Sequence, residues 1–288
     1  MKALRWRGGA EPCWCVANDP CGMCCACFTY ALILFADYAV VLELLLPWLG
    51  LSLNCCTLSL LFLGVSGLAV ASHARCMLTD PGAVPLEYHP AEISAPGSLP
   101  MCSRCNGFKP PRAHHCSQCN RCIMKMDHHC PWVNNCVGAN NQKHFVLFVG
   151  YTALMSTMAL ALLVARLVFA SGGGEARLSR VHAPLGVGGE EPGAGFLYTC
   201  LLFFEAILFG LFTAAMLCEQ IASIMSDQTG IERLKQDYVA PQRSALANLS
   251  ETFGRPVSLL WLLPTAVRFH GLTWWDLMPD LGGVEHAV

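Results

Sequence analysis

Apolar residues in this chain gather into four long blocks, and polar residues fill the segments between them. The first block, Phe28 to Leu46, reads FTYALILFADYAVVLELLL. At about 1.5 Å of rise per residue, a helix of that length nearly crosses a hydrocarbon core about 30 Å thick. Pro47 and Trp48 mark its interfacial end, and the second block, Leu51 to Ala71, follows so closely that the two helices form a tight hairpin. A third block starts at Phe145 and ends near Ala170, and a fourth covers Phe196 to Cys218. The pattern predicts an α-helical polytopic membrane protein with four transmembrane helices. Its segments are an N-tail (1–27), helices 1 and 2 (28–71), a linker with Asp80-Pro81-Gly82 (72–101), a cysteine-rich island (102–144), helix 3 (145–170), a Gly-rich loop (171–195), helix 4 (196–218) and a C-tail (219–288).

Composition agrees: 54% hydrophobic residues, 13% charged residues and a mean hydropathy of +0.45 exclude an ordinary soluble protein. The formal charge of -2 argues against a nucleic-acid partner. Lys and Arg outside the apolar blocks number three in the N-tail, seven over 72–144 and five in the C-tail. The first hairpin has none and the Gly-rich loop two, Arg177 and Arg180. By the positive-inside rule both termini and the island face the cytosol and the Gly-rich loop faces the lumen. No cleavable signal peptide is apparent, so the first helix is expected to serve as its own insertion signal.

From Cys102 to Phe145 the chain holds seven cysteines and five histidines in 44 residues, with the knuckle C-x2-C at Cys102/Cys105 and Cys116/Cys119. That density at that spacing is a strong zinc signal in a reducing compartment. Adjacent residues of an extended strand point to opposite sides, so His115 and Cys116 should serve different metals, as should His128 and His129. The simplest partition sets Cys102, Cys105, His115 and Cys122 around one zinc, and Cys116, Cys119, His129 and Cys136 around the other. Both are closed Cys3His sets, the pattern of a structural ion. Spacing alone allows Cys122 and Cys130 to exchange roles, but every partition leaves one cysteine over.

If that cysteine is Cys130, Asp127, His128 and Cys130 offer an orienting carboxylate, a base and a thiol nucleophile within four residues. Pro131 biases Cys130 toward an extended backbone. The residues alone support equally well a second account, in which His128 and Asp127 only ligate metal or steady a ligand.

The series Cys102-x2-Cys105-x9-His115-Cys116-x2-Cys119-x2-Cys122-x4-Asp127-His128-His129-Cys130-x5-Cys136-x4-Asn141-x3-Phe145 resembles the cysteine-rich domain of the DHHC protein S-acyltransferases. Asp80-Pro81-Gly82 and Asn248 with Phe253-Gly254 resemble further family signatures. One departure is Thr229-Gly230-Ile231-Glu232, where the family commonly has Thr-Thr-x-Glu, so Gly230 lacks a hydroxyl. The resemblance implies a palmitoyltransferase, with palmitoyl-CoA as co-substrate and two structural zincs. Cys130 would be acylated and would pass the acyl group to cysteines of membrane-associated proteins, with His128 as base and then acid and Asp127 orienting it. It further implies a Golgi-type member, and spans this short suit early secretory membranes, Golgi or endoplasmic reticulum.

Cys130 lies fifteen residues before Phe145, which would let an acyl chain run down among the helices in contact with membrane lipid. Burying that chain at about 0.8 kcal/mol per methylene is a large share of the affinity. Arg112, Lys125 and Lys143 are candidate CoA phosphate contacts on charge alone, or equally a solvated basic face. Met155, about 15 Å along the third helix, is a candidate for choosing chain length. Asp37, Glu43 and Glu205 lie in apolar runs, where acids are costly and either functional or structural. The patch 257–269 reads as an interfacial or packing segment, the Asn248-Leu249-Ser250 sequon is expected to be cytosolic and unglycosylated, and Cys13 to Cys27 suggest lipidation, a third metal or a loose tail. A noncatalytic zinc scaffold is the competing function, and a zinc hydrolase is disfavoured because it needs an open metal position.

Overall fold

The computed structural model describes residues 6–8, 10–13, 16, 19–84, 86, 101–171, 194–236 and 243–267. Cys15, the Pro-rich part of the linker, most of the Gly-rich loop with Arg177 and Arg180, and the chain from 268 onward lie outside them. Four helices among the described residues are long and apolar enough to cross a membrane: Pro20–Leu49, Leu53–Leu78, Gln142–Ser171 and Gly195–Ser226. The cysteine-rich island falls between the second and third, as the sequence predicts.

The described residues form two compact units. One holds Phe28–Ala71 and Phe148–Cys218, the bulk of the four helices: α1 (Pro20–Tyr38) with the short α2 (Leu46–Leu49), α3 (Leu53–Leu78), α4 (Gln142–Ser171) and α5 (Ala194–Ser226). Its core packs Ile33, Val40, Leu44 and Leu45 against Phe62, Met155, Leu202 and Ala206. Between α1 and α2 the backbone widens to a π-helix over Ala39–Leu45, just before Pro47. Pro47 has no N–H for the carbonyl four residues back, that of Glu43. Arg166 Nη1 donates to this oxygen at 3.2 Å, so a cation in an apolar run satisfies backbone that lipid cannot. Asp37 accepts from Ser66 Oγ at 2.8 Å, and the Glu43 carboxylate accepts from the Tyr38 hydroxyl.

The other unit holds Met1–Cys27, Ser72–Leu147 and Glu219–Val288. Two-stranded antiparallel hairpins build its island. They are β3 (Met101–Cys102) with β4 (Gly107–Phe108), β5 (Ala113–Cys116) with β6 (Arg121–Met124), and β7 (His128–Cys130) with β8 (Asn135–Val137). Another hairpin pairs β1 (Trp6–Gly8) with β2 (Ala10–Cys13) near the N-terminus. After α5 come α6 (Gly230–Lys235), α7 (Ala245–Phe253) and a 3-10 turn at Leu259–Leu262.

α5 runs to Ser226, past the end of the apolar block at Cys218, and buries Gln220, Ser223 and Ile224. Asn248 Nδ2 donates to the last-turn carbonyl of Met225 at 3.0 Å. The Asn248 side chain is therefore buried in the fold, not displayed as a glycan acceptor. In the tail patch, Leu259 is 81% exposed, while Trp261 stacks on Phe253 with ring centroids 5.4 Å apart.

Candidate active site and metal clusters

Each hairpin of the island sets its ligands by strand register. Asn106 and Asn120 follow the second cysteine of each knuckle in the left-handed region, at φ 50 and φ 51, which Asn tolerates better than most residues. His115 stands opposite Cys122 across β5 and β6, and His129 opposite Cys136 across β7 and β8. The result is two quartets, Cys102, Cys105, His115 and Cys122, and Cys116, Cys119, His129 and Cys136, with the ligand atoms of each within 4.8 Å of one another.

The quartets fit zinc. Tetrahedral bonds of about 2.3 Å to sulfur and about 2.0 Å to nitrogen hold S···S pairs about 3.8 Å apart and S···N pairs about 3.5 Å apart. In the first quartet His115 Nδ1 lies 3.6 Å from Cys102 Sγ and 3.2 Å from Cys105 Sγ, and Cys105 and Cys122 are 3.8 Å apart. In the second, His129 Nδ1 lies 3.7, 3.5 and 3.6 Å from Cys116, Cys119 and Cys136. Both histidines thus present Nδ1. The other nitrogen of His129 meets the Asp19 carboxylate at 3.0 Å, the carboxylate–histidine arrangement that orients metal ligands. Such an ion would supply a covalent staple between hairpins, with all four positions filled by protein.

Cys130 belongs to neither quartet. It sits two residues after His128 on β7, and alternation puts both on the side opposite His129. Its backbone is extended at φ -114 and ψ 110, and the 3-10 turn at Pro131–Val133 then folds the chain back through Asn134 at φ 47. His128 Nδ1 lies 2.7 Å from Asp127 Oδ2, and the Phe145 ring meets the imidazole edge to face at 5.3 Å. Burial disfavours the imidazolium, but the hydrogen bond with Asp127 and the contact with Cys130 outweigh it and push the His128 pKa up to about 9. Burial also raises Asp127, yet hydrogen bonds with His128, the Gly230 N–H and Gln220 reverse this and hold its carboxyl below the ordinary range.

Residues that ligate no metal fix this geometry; the resemblance marks Asp80, Gly82 and Asn141 among them, but not Asn135 or Gly138. Asp80 Oδ1 accepts from the Gly82 and Ala83 N–H groups at 2.9 and 2.7 Å, an Asx turn that lays the linker along β6. There Met124 N donates to Gly82 O and Val84 N to Cys122 O, both at 2.8 Å. Gly138 packs so closely that a Cβ would stand 2.5 Å from the Pro81 carbonyl, so no larger residue fits. Asn135 Nδ2 donates to the Cys76, Met77 and Thr79 carbonyls at 3.0 to 3.2 Å, capping the end of α3. Asn141 Nδ2 bonds the Cys136 carbonyl at 2.8 Å.

Thr229-Gly230-Ile231-Glu232 starts α6 with a capping box between Thr229 and Glu232. Its Gly230 N–H reaches Asp127 Oδ1 at 2.8 Å. Glu232 also takes a two-pronged bond from Arg112, Nε–Oε1 at 2.7 Å and Nη2–Oε2 at 2.9 Å, and Arg112 Nη1 pairs with Asp227 at 2.9 Å.

The three cations selected for CoA phosphate are thus engaged elsewhere. Arg112 is paired as above, Lys125 bridges Asp227 and Glu251 at 3.1 Å each, and Lys143 Nζ bonds Leu260 O and Thr265 Oγ1 at 2.8 and 3.1 Å. Any phosphate contact there would compete with these partners.

Fold and site together describe a polytopic membrane protein in which a module of two Cys3His metal-ligand quartets leaves one cysteine, Cys130, beside a histidine. Comparison with known proteins narrows the class. The DHHC palmitoyltransferase family model matches residues 96–237. Rat "Palmitoyltransferase ZDHHC3" is 41% identical over 261 residues, covering 88% of this chain and 84% of that protein. Rat "Palmitoyltransferase ZDHHC7" is 40% identical over 295 residues, covering 97% and 89%. "Probable protein S-acyltransferase 14" of Arabidopsis thaliana is 31% identical over 280 residues, covering 86% and 85%. The chain belongs to the DHHC palmitoyltransferase family, enzymes that place palmitoyl groups on protein cysteines.

Proposed function

We propose that Cys130 carries the acyl group between a long-chain acyl-CoA and a protein cysteine. The observation behind this reading is that Cys130 alone among the island's seven cysteines lies outside both quartets, with the His128–Asp127 pair at its side. In the first half-reaction His128 takes the thiol proton through Nε2, because Nδ1 faces Asp127. Cys130 Sγ attacks the thioester carbon, the bond to the CoA sulfur breaks, and His128 returns the proton to the departing thiolate. In the second half the substrate cysteine gives its proton to His128, attacks the Cys130 thioester and leaves Cys130 as the thiol. Asp127 keeps the imidazole oriented and favours its protonated form.

The two zincs held by Cys102, Cys105, His115 and Cys122 and by Cys116, Cys119, His129 and Cys136 are structural in this reading. Acyl-CoA, membrane-associated proteins with cytosolic cysteines and membrane lipid are the partners. The site faces the cytosol, supported by the distribution of Lys and Arg, and the membrane is that of the Golgi or endoplasmic reticulum, supported by the family resemblance. The exposed leucines of the tail patch, Leu259 and Leu260 among them, rest on that interface.

Purified protein incubated with labelled palmitoyl-CoA should acquire a hydroxylamine-sensitive label, absent from Cys130→Ser. Equal labelling of that variant would refute the assignment, and a zinc content near one per chain would refute the two-cluster partition.

A further inference from the structure

Asp127 is buried, and two of its hydrogen bonds come from beyond its own hairpin. Gln220 Nε2 donates to Oδ2 at 2.8 Å and the Gly230 N–H to Oδ1 at 2.8 Å, while His128 Nδ1 stands 2.7 Å from Oδ2. Gln220 is 3% exposed, and its Oε1 accepts from Gln142 Nε2 at 3.4 Å. With the amide oxygen taken by Gln142, the NH2 group is the one turned toward Asp127. The same oxygen that orients His128 is therefore also held by a neutral donor, between two buried side chains where water has little access.

From this geometry we infer that Gln220 is a positioning residue of the acyl-transfer site, holding the Asp127 carboxylate so that His128 presents Nε2 to Cys130. The inference rests on the Asp127–His128–Cys130 reading above. Its chemistry is specific to an amide. An aliphatic side chain leaves Oδ2 short of a donor, and a carboxylate at 220 sets like charges together.

Gly230 supplies an independent probe. A Cβ there would meet Asp127 Oδ1 at 3.5 Å, an ordinary contact, and Gly230 is not among the positive-φ glycines. A serine at 230 thus fits and brings a hydroxyl to the opposite oxygen of the same carboxylate.

The test uses the full chain in nanodiscs with labelled palmitoyl-CoA, reading kcat, KM and zinc content. Q220A should lower kcat about tenfold to a hundredfold, with two zincs retained, and leave KM within about twofold. Q220E should be no better than Q220A, and the double variant Q220A/G230S should recover part of the lost kcat. A Q220A kcat within about twofold of the parent overturns the inference. So does a loss that travels with zinc release or rising KM, or a double variant with no recovery. A fully active D127A would bring down the active-site reading and the inference together. An inactive D127A beside an unimpaired Q220A would bring down the role of Gln220 alone.

Discussion

Asp19 Oδ2 lies 3.0 Å from His129 Nε2, tying the N-terminal segment to a metal-cluster histidine 110 positions away. The same carboxylate accepts the Gly22 N–H through Oδ1 at 2.9 Å, and Asn134 Nδ2 bonds the Val16 carbonyl at 3.1 Å. Asp19→Ala should therefore weaken metal retention in the second quartet by about tenfold to a hundredfold while sparing the first. Zinc release against a graded chelator would show a split into two phases. Release identical to the parent would mean that the contact does not orient the ligand.

Arg112 is half-buried between two buried carboxylates, Asp227 and Glu232. Arg112→Ala leaves Glu232 buried without the Arg112 guanidinium and Asp227 with Lys125 alone, and breaking such pairs costs about 3–5 kcal/mol. Arg112→Lys should recover only part of that, because an ammonium cannot reproduce the two parallel bonds to Glu232. Thermal unfolding in detergent measures both, and a fall in Tm shared equally by the two variants would contradict the role of the fork.

Acid should undo the same contact. Burial raises Asp227, but the charges of Lys125 and Arg112 more than offset it and hold its carboxyl below the ordinary range. A depressed folded pKa contributes stability that is fully present above the unfolded value of about 3.9 and is lost as the pH falls through the folded value. The stability difference between the parent and Asp227→Asn should be constant above about pH 5 and shrink on further acidification. A difference that widens toward low pH would contradict the sign.

Met155 lies in the helix core with Leu202 and Ala206. If it meets the end of the bound acyl chain, Met155→Ala should move the preference toward longer acyl-CoA. Competition between acyl-CoAs of different length would read this, and an unchanged profile would remove Met155 from consideration.

Much of the architecture could be read from the sequence because its signals are local. Apolar blocks mark the four long helices, and strand alternation separates His115 from Cys116 and His128 from His129. What stayed hidden were partners brought in from far along the chain. Gln220 fell within the C-tail that starts at 219, Asp19 within the N-tail, and Gly230 looked like a lost hydroxyl. Its backbone N–H makes the Asp127 contact without any side chain. For Arg112, Lys125 and Lys143 the sequence left a phosphate contact and a basic face both open, since positive charge alone does not show the carboxylates and carbonyls that lie against them.

The two ligand sets interleave along the chain, with His115 serving one and Cys116 the other, and Cys119 falling before Cys122. Every peptide bond from Cys116 to Cys122 consequently lies inside both sets. No cut there leaves either quartet on one fragment, and no shorter stretch of the island contains a complete cluster free of the other's ligands. Neither quartet can be taken without ligands of the other, which makes the island indivisible as a unit of inheritance and of engineering.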